Sequence, residues 1–260
     1  MDYMVALVSS LAWGLGYFGQ PHILVIFMGI KDAEEIKHSR RIAMVWVIFS
    51  LIAAVLVGLL GKVYLSEDLS ATAGETVYIK MVLSIFPIIL AAILAAIMST
   101  ADSQLFVTVS AITENFYKIK IRKNASDKES MLVSRLTVIV VAIIAAIIAS
   151  NPNNTVLGLV ENAWAGFGAT FGPIVIISLF LKRTTKKGAI AGMVTGGVSV
   201  IIWRRLGAAL GGIFTLYEIV PGFLLSALVI YIVSKMDKEP SQEIIDEFEK
   251  VQELNNQTNA

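Results

Sequence analysis

Two stretches of an otherwise apolar chain carry residue types able to hold a ligand. In WGLGYFGQPH, Trp13 to His22, three glycines and a proline fall within ten residues. Glycine weakens a helix through backbone entropy, while proline removes an amide donor and clashes with the carbonyl four residues earlier. Backbone groups freed in this way at membrane depth are tolerated only where they face protein or a wet cavity. The break at Pro21 therefore offers carbonyls and amides to a ligand. The amphipathic rings of Trp13 and Tyr17 flank it as walls for a small organic solute, and Gln20 can hydrogen-bond either solute or backbone. The competing reading is that glycines three or four residues apart simply form a close-packing face.

The second stretch is ILAAILAAIMSTADSQL, Ile89 to Leu105. On a helix, Ala92, Ala96, Ser99 and Ser103 share one face. The Ser99 and Thr100 hydroxyls lie three and four residues beyond Ala96, so two hydroxyls and one carbonyl converge. Neutral oxygens of this kind suit a weakly held monovalent cation such as Na⁺, whereas a divalent ion calls for more negative charge. Against this, Ser and Thr often bond back to their own helix. Asp102 adds an acid inside the segment, which marks an ion path or a buried pair unless it sits wet near a helix end.

The elements that position these residues follow from composition. The chain is 56% hydrophobic and only 16% charged, with mean hydropathy +0.75, against about 45–50% and about 25% for soluble domains. Charge-poor windows run approximately over Val5–Ile30, Ile42–Gly61, Met81–Thr113, Leu136–Ser150, Thr155–Leu181, Gly188–Trp203 and Gly211–Ser234. They predict an all-α integral membrane protein of about seven transmembrane helices. The first window lacks the basic start of a secretory signal and reads as a true span. As a continuous helix, Tyr3–Ile30 would reach about 42 Å, too long for a hydrocarbon core of about 30 Å unless it tilts or unwinds.

Seven spans alternate sides, and 17 of the 21 Lys and Arg then fall on one face. That face is cytoplasmic by the positive-inside rule, which places the C-terminus inside. Arg204 and Arg205 stand against the trend. Glu161, Trp164 and the glycines of the fifth window suit either a flexible gate or simple packing. The basic loop Lys118–Lys128 can recruit anionic lipid, although the charge bias already accounts for it. His22 and His38 stand alone, so no metal role is expected of them, and with no cysteine there is neither disulfide nor thiolate site. No phosphate loop or nucleophile–base constellation appears, so no enzyme is expected, nor any nucleic-acid partner. After Lys235 an acidic helix carries an apolar stripe, Ile244, Ile245, Phe248 and Val251, followed by a disordered polar end.

WGLGYFGQPHILVIFMGI, ILAAIMSTADSQL, AWAGFGATFGP (Ala163–Pro173) and SLFLKRTTKKGAIAGMVTGG (Ser178–Gly197) together resemble, in order, motifs of the sodium:solute symporters. The resemblance implies a fold of two inverted five-helix repeats in the cell membrane. Residues 1–181 would be the second repeat, residues 182–235 two peripheral helices and residues 236–260 a cytoplasmic tail. It implies Na⁺-coupled uptake of a small solute, with proline expected. Trp13, Tyr17, Gln20 and Pro21 would serve the solute, Ala96, Ser99 and Thr100 the Na⁺ ion, and Asp102 and Ser103 a second ion position. Relatives of about twice this length would supply the rest of the Na⁺ shell from a first repeat, which leaves open a partner chain carrying that repeat or a truncation product without function. Alternatives are a symporter of another small amino acid or carboxylate, or a solute-sensing membrane module without transport.

Overall fold

The computed structural model describes residues 2–65, 74–86, 88–151 and 155–259, and every regular element among them is helical. Among the described residues six helices are long and apolar enough to cross a membrane, and a bent pair, Tyr3–Gly19 with Pro21–Met28, makes up to seven when its two parts are counted as one span. The chain divides into two compact units, residues 1–34 with 157–260, and residues 35–156.

In the first unit, α1 (Asp2–Gly16) gives way to a 3₁₀ turn, Tyr17–Gly19, and then to Gln20 in extended conformation. Helix α2 (Pro21–Met28) resumes at an angle of 51°. Pro21 occupies its first position, where the missing N–H is no loss and the fixed φ is already helical. The broken helix expected from Gly16, Gly19 and Pro21 is thus present.

Helices α7 (Val156–Phe180), α8 (Lys186–Leu210) and α9 (Ile219–Met236) complete the membrane part of this unit. Thr185 caps α8 by accepting the Gly188 N–H at 3.2 Å. Gly211 and Gly212, with φ of 62° and 61°, turn the chain at its other end, a conformation that suits glycine. Gly188 and Gly192 admit α9 to backbone distance along α8, and Gly196, four residues on, admits the α7 backbone at the Ala169 carbonyl. In that seam the Ser226 hydroxyl donates to the Gly192 carbonyl at 2.8 Å, and the Thr185 N–H donates to Ser234 Oγ at 3.2 Å. Ala165, Ala169, Ile219 and Ile230 are fully buried around it.

The tail is helical through α10 (Gln242–Asn259), so the disordered end expected from its polar composition is not what forms. It docks against the α7–α8 turn. Lys182 pairs with Glu249, Gln252 Nε2 donates to the Leu179 carbonyl at 3.3 Å, and the Lys187 ammonium meets Asp237 Oδ1 at 2.8 Å. Ile245 and Phe248 are partly buried, while Ile244 and Val251 stay exposed. Exposed pairs contribute at most about 1 kcal/mol. Lys182→Glu should therefore speed amide exchange in α10 by a few-fold, and the charge-swapped pair Lys182→Glu/Glu249→Lys should restore it; unchanged exchange would mean that the ion pair does not hold the tail. The Lys187 ammonium, hydrogen-bonded to Asp237, pulls that carboxyl below its ordinary value of 3.8. A depressed folded value means that this contact supports the fold above about pH 3.8 and is lost only as pH falls further.

The second unit holds α3 (Ala33–Tyr64), α4 (Val77–Ile85), α5 (Ile89–Ser110) and α6 (Asp127–Ala149). Helix α5 runs on as a π-helix through Ala111–Ile121. The third window thus differs from its expectation: Met81 belongs to the separate helix α4, and the span begins at Ile89. Phe86, at φ −143° and ψ 83°, interrupts them, because a residue before proline is pushed out of the helical region; Pro87 itself lies outside the described residues. Helix α6 starts well before Leu136 because Ser126 accepts the Glu129 N–H, an Ser-x-x-Glu start. Glu129 then accepts from Tyr117 at 2.6 Å and from Arg122 at 2.7 Å, while Thr113 and Ser134 meet at 3.1 Å, which ties α6 to the π-helix.

Candidate functional site

The solute candidates converge on one indole. Trp13, on α1, stacks on Trp164 of α7 with ring centroids 5.5 Å apart and on Tyr217 at 6.1 Å. Tyr17, in the 3₁₀ turn, meets Trp164 edge-on at 4.9 Å and keeps about half its surface exposed (51%). The Trp164 Nε1–H donates to the Trp13 carbonyl at 2.9 Å, fixing the indole against α1. Such aromatic pairs add about 0.5–1.5 kcal/mol beyond their burial. Gln20 is buried and its amide donates to the Trp164 carbonyl at 3.3 Å, so it serves backbone here and locks the break to α7. Pro21 sets the entry of α2 and is partly buried.

The glycines make this approach possible. A Cβ on Gly16 would lie 1.9 Å from Trp164 Nε1, and one on Gly19 would lie 2.4 Å from the Phe167 carbonyl oxygen. The two readings of the glycines are therefore one: the residues that unwind the helix are also those that let α7 reach it.

A cleft of about 560 Å³ opens beside Trp13, lined by Ser9, Ser10, Glu161, Tyr217 and Glu218. Ser9 Oγ accepts the Tyr217 N–H at 3.0 Å, and the phenol donates to the Glu161 carbonyl at 2.8 Å. Burial, with Glu218 and Glu161 adding to it, pushes the Tyr217 hydroxyl well above its ordinary value, so it remains a donor at neutral pH. Sequence reasoning gave Trp164 only a gating or packing role and missed Tyr217, whose place in a loop between the last two spans carries no local signal.

The ion candidates lie on α5 in the other unit. Thr100 Oγ1 donates to the Ala96 carbonyl at 3.2 Å, which brings two of the three expected oxygens together. Ser103 Oγ donates to the Thr100 carbonyl at 2.8 Å. Ser99, Thr100, Asp102 and Ser103 are all exposed. A hydroxyl that donates its proton keeps lone pairs for a cation, so the observed back-bond is compatible with an ion-facing role. Among the described residues no three His, Cys, Asp or Glu side chains group as metal ligands. The oxygens present are neutral and few, as fits a weakly held monovalent ion, while hard divalent ions take six or more, several of them charged.

Comparison with known proteins identifies the family. The profile of the sodium:solute symporter family matches residues 1–196. The high-affinity proline transporter PutP of Bacillus subtilis (strain 168) is 48% identical over 260 residues, covering 98% of this chain and 54% of its own length. The sodium/proline symporter of Escherichia coli (strain K12) is 48% identical over 248 residues, 91% of this chain and 48% of its own length. The osmoregulated proline transporter OpuE of Bacillus subtilis is 46% identical over 245 residues, covering 92% and 49%. The chain spans about half the length of the curated relatives it matches. No solved structure matches it significantly.

Proposed function

The chain belongs to the sodium:solute symporter family, and from that premise we propose that it forms part of a multi-pass Na⁺-coupled carrier, not an enzyme, whose solute is proline. The observation that carries this reading is the break between α1 and α2, bent by 51° and walled by Trp13, Tyr17 and Trp164. Transporter sites are characteristically built where a helix is interrupted near the midplane. A pyrrolidine ring presents apolar faces to indole and phenol rings, and its charged amino and carboxyl groups find partners in freed backbone and in neighbouring polar side chains.

In this reading residues 1–181 are the second repeat, residues 182–235 the peripheral helices and residues 236–260 a cytoplasmic tail. Ala96, Ser99 and Thr100 give Na⁺ its oxygens from α5, and Asp102 with Ser103 forms a second ion position. The first repeat, in the same polypeptide or a partner chain, completes both shells. Na⁺ binding orders the solute site, and by linkage solute raises Na⁺ affinity by the same factor. Rocking of one helix group against another then exposes the loaded site to either side. The excess of Lys and Arg on one face supports a cytoplasmic C-terminus in the cell membrane.

A chimera tests the proposal: this chain replaces the corresponding half of the Bacillus subtilis transporter, and uptake of radiolabelled proline is measured in proteoliposomes. Uptake that requires an inward Na⁺ gradient and falls at least tenfold without it is the expected result. A folded, inserted chimera that moves proline without Na⁺, or binds proline and moves none, would overturn it.

A further inference from the structure

A groove of about 860 Å³ runs between α7 and α8 and shares with the aromatic cleft beside Trp13 the single lining residue Glu218. Its walls are apolar and open, with Phe167 43%, Val194 61%, Val198 49% and Ile201 60% exposed. Polarity gathers at one end, where Arg204 and Arg205 of α8 stand with Glu218. These are the two arginines that oppose the charge bias of the chain. Both are exposed, and among the described residues neither guanidinium makes an ion pair or a hydrogen bond.

An arginine in a spanning helix is costly unless its head reaches the interface. Arg205 lies five residues before the end of α8 at Leu210, roughly 8 Å along the axis, which is within reach of the headgroup layer. From Arg205 back to Met193, at the other end of the groove, is 12 residues, roughly 18 Å of helix. That matches one leaflet, about half of a 30 Å hydrocarbon core. A guanidinium binds phosphate through paired N–H donors, and the two of them outnumber the single carboxylate.

We propose that this groove holds one acyl chain of an anionic phospholipid of the phosphatidylglycerol type, its phosphate bound by Arg204 and Arg205 and its headgroup hydroxyls donating to Glu218. The site is independent of the solute and of Na⁺. It is an annular lipid position that fixes α8 at the interface.

The test is a lipid titration of the purified chain followed by native mass spectrometry, with phosphatidylglycerol, phosphatidylethanolamine and inorganic phosphate as separate probes. Phosphatidylglycerol should bind about 25-fold more tightly to the unaltered chain than to Arg204→Gln/Arg205→Gln, which is about 2 kcal/mol at 1.4 kcal/mol per tenfold. Phosphatidylethanolamine, whose ammonium offsets the pull of the two arginines on its phosphate, should lose much less, and inorganic phosphate should not displace the lipid. Arg204→Lys/Arg205→Lys should keep most of the preference. Gly166 lines the groove and a Cβ added there meets nothing within 4 Å, so Gly166→Leu extends into the groove and should weaken both lipids at least tenfold. The Lys pair and Gly166→Leu decide the matter if the Gln pair does not fold. Equal binding of the two lipids, displacement by phosphate alone, or full binding by Gly166→Leu would each overturn the proposal.

Discussion

Gly19→Ala should destabilise the protein by about 2–3 kcal/mol, while Gly14→Ala, five residues away, should leave it unchanged or up to about 1 kcal/mol more stable. The difference lies in what each new methyl meets. At Gly14 nothing lies within 4 Å, and alanine is the better helix former. At Gly19 the methyl would sit 2.4 Å from the Phe167 carbonyl oxygen, 2.8 Å from Gly168 Cα and 2.9 Å from Gly172 N. All three are backbone atoms, so no rotamer change relieves the clash, and α7 must move away from the break. Gly16→Ala should fall between the two. Its methyl meets the Trp164 ring, which can shift only by giving up its 2.9 Å hydrogen bond to the Trp13 carbonyl. Unfolding in detergent by graded addition of denaturing surfactant, followed by tryptophan fluorescence, reads all three. A Gly19→Ala protein within about 0.5 kcal/mol of the unaltered chain, a typical surface effect, would show that the break is not clamped.

The outcome matters for function because the same contacts build the aromatic wall. If α7 backs away from Gly19, Trp164 leaves Trp13 and Tyr17 together, and Gln20 loses the carbonyl it holds. Stability and solute recognition should therefore fall in parallel along the series Gly14, Gly16, Gly19.

What could be read in the sequence was whatever local chemistry dictates. The break at Gly16–Pro21 follows from residues adjacent in the chain, and the apolar windows follow from a bilayer thickness that applies to any span. Helix ends were read less well, because a hydropathy window stops where charge begins while a helix stops where its backbone is capped. Ser126 and Thr185 start α6 and α8 among charged residues, and Arg204 and Arg205 lie inside α8, which runs on to Leu210. The gap between α4 and α5 was signalled by Pro87 and was passed over for the surrounding hydrophobicity. The aromatic wall was out of reach for a different reason. Trp164 and Trp13 are 151 residues apart, and Tyr217 and Ser9 are 208 apart, so only the packing of α1, α7 and α9 brings them together. No periodicity or motif encodes a pairing at that distance.

Removing the hydroxyl of Ser99 or Thr100 should raise the Na⁺ concentration for half-maximal proline uptake by the chimera by about 10- to 100-fold, which corresponds to about 1.5–3 kcal/mol for a polar contact to a charge. Maximal uptake at saturating Na⁺ should fall much less, since in the proposed carrier the variant would weaken an ion ligand and leave the moving helices as they were. Thr100 allows a sharper version. Its Oγ1 already donates to the Ala96 carbonyl at 3.2 Å, so the two oxygens are held side by side and a cation in contact with one reaches the other. Thr100→Ser keeps that oxygen and should restore near-normal Na⁺ dependence, whereas Thr100→Val keeps the shape without the oxygen and should behave like Thr100→Ala. Were the hydroxyl merely a back-bond to its own helix, Thr100→Val would cost a fraction of a kcal/mol of helix stability and leave the Na⁺ curve in place. Ser103→Ala is the internal control: Ser103 Oγ is bound to the Thr100 carbonyl at 2.8 Å, and any effect there should appear in a second, weaker Na⁺ phase, not in the first. Unchanged Na⁺ dependence in Ser99→Ala, Thr100→Ala and Thr100→Val alike would remove α5 from the ion site.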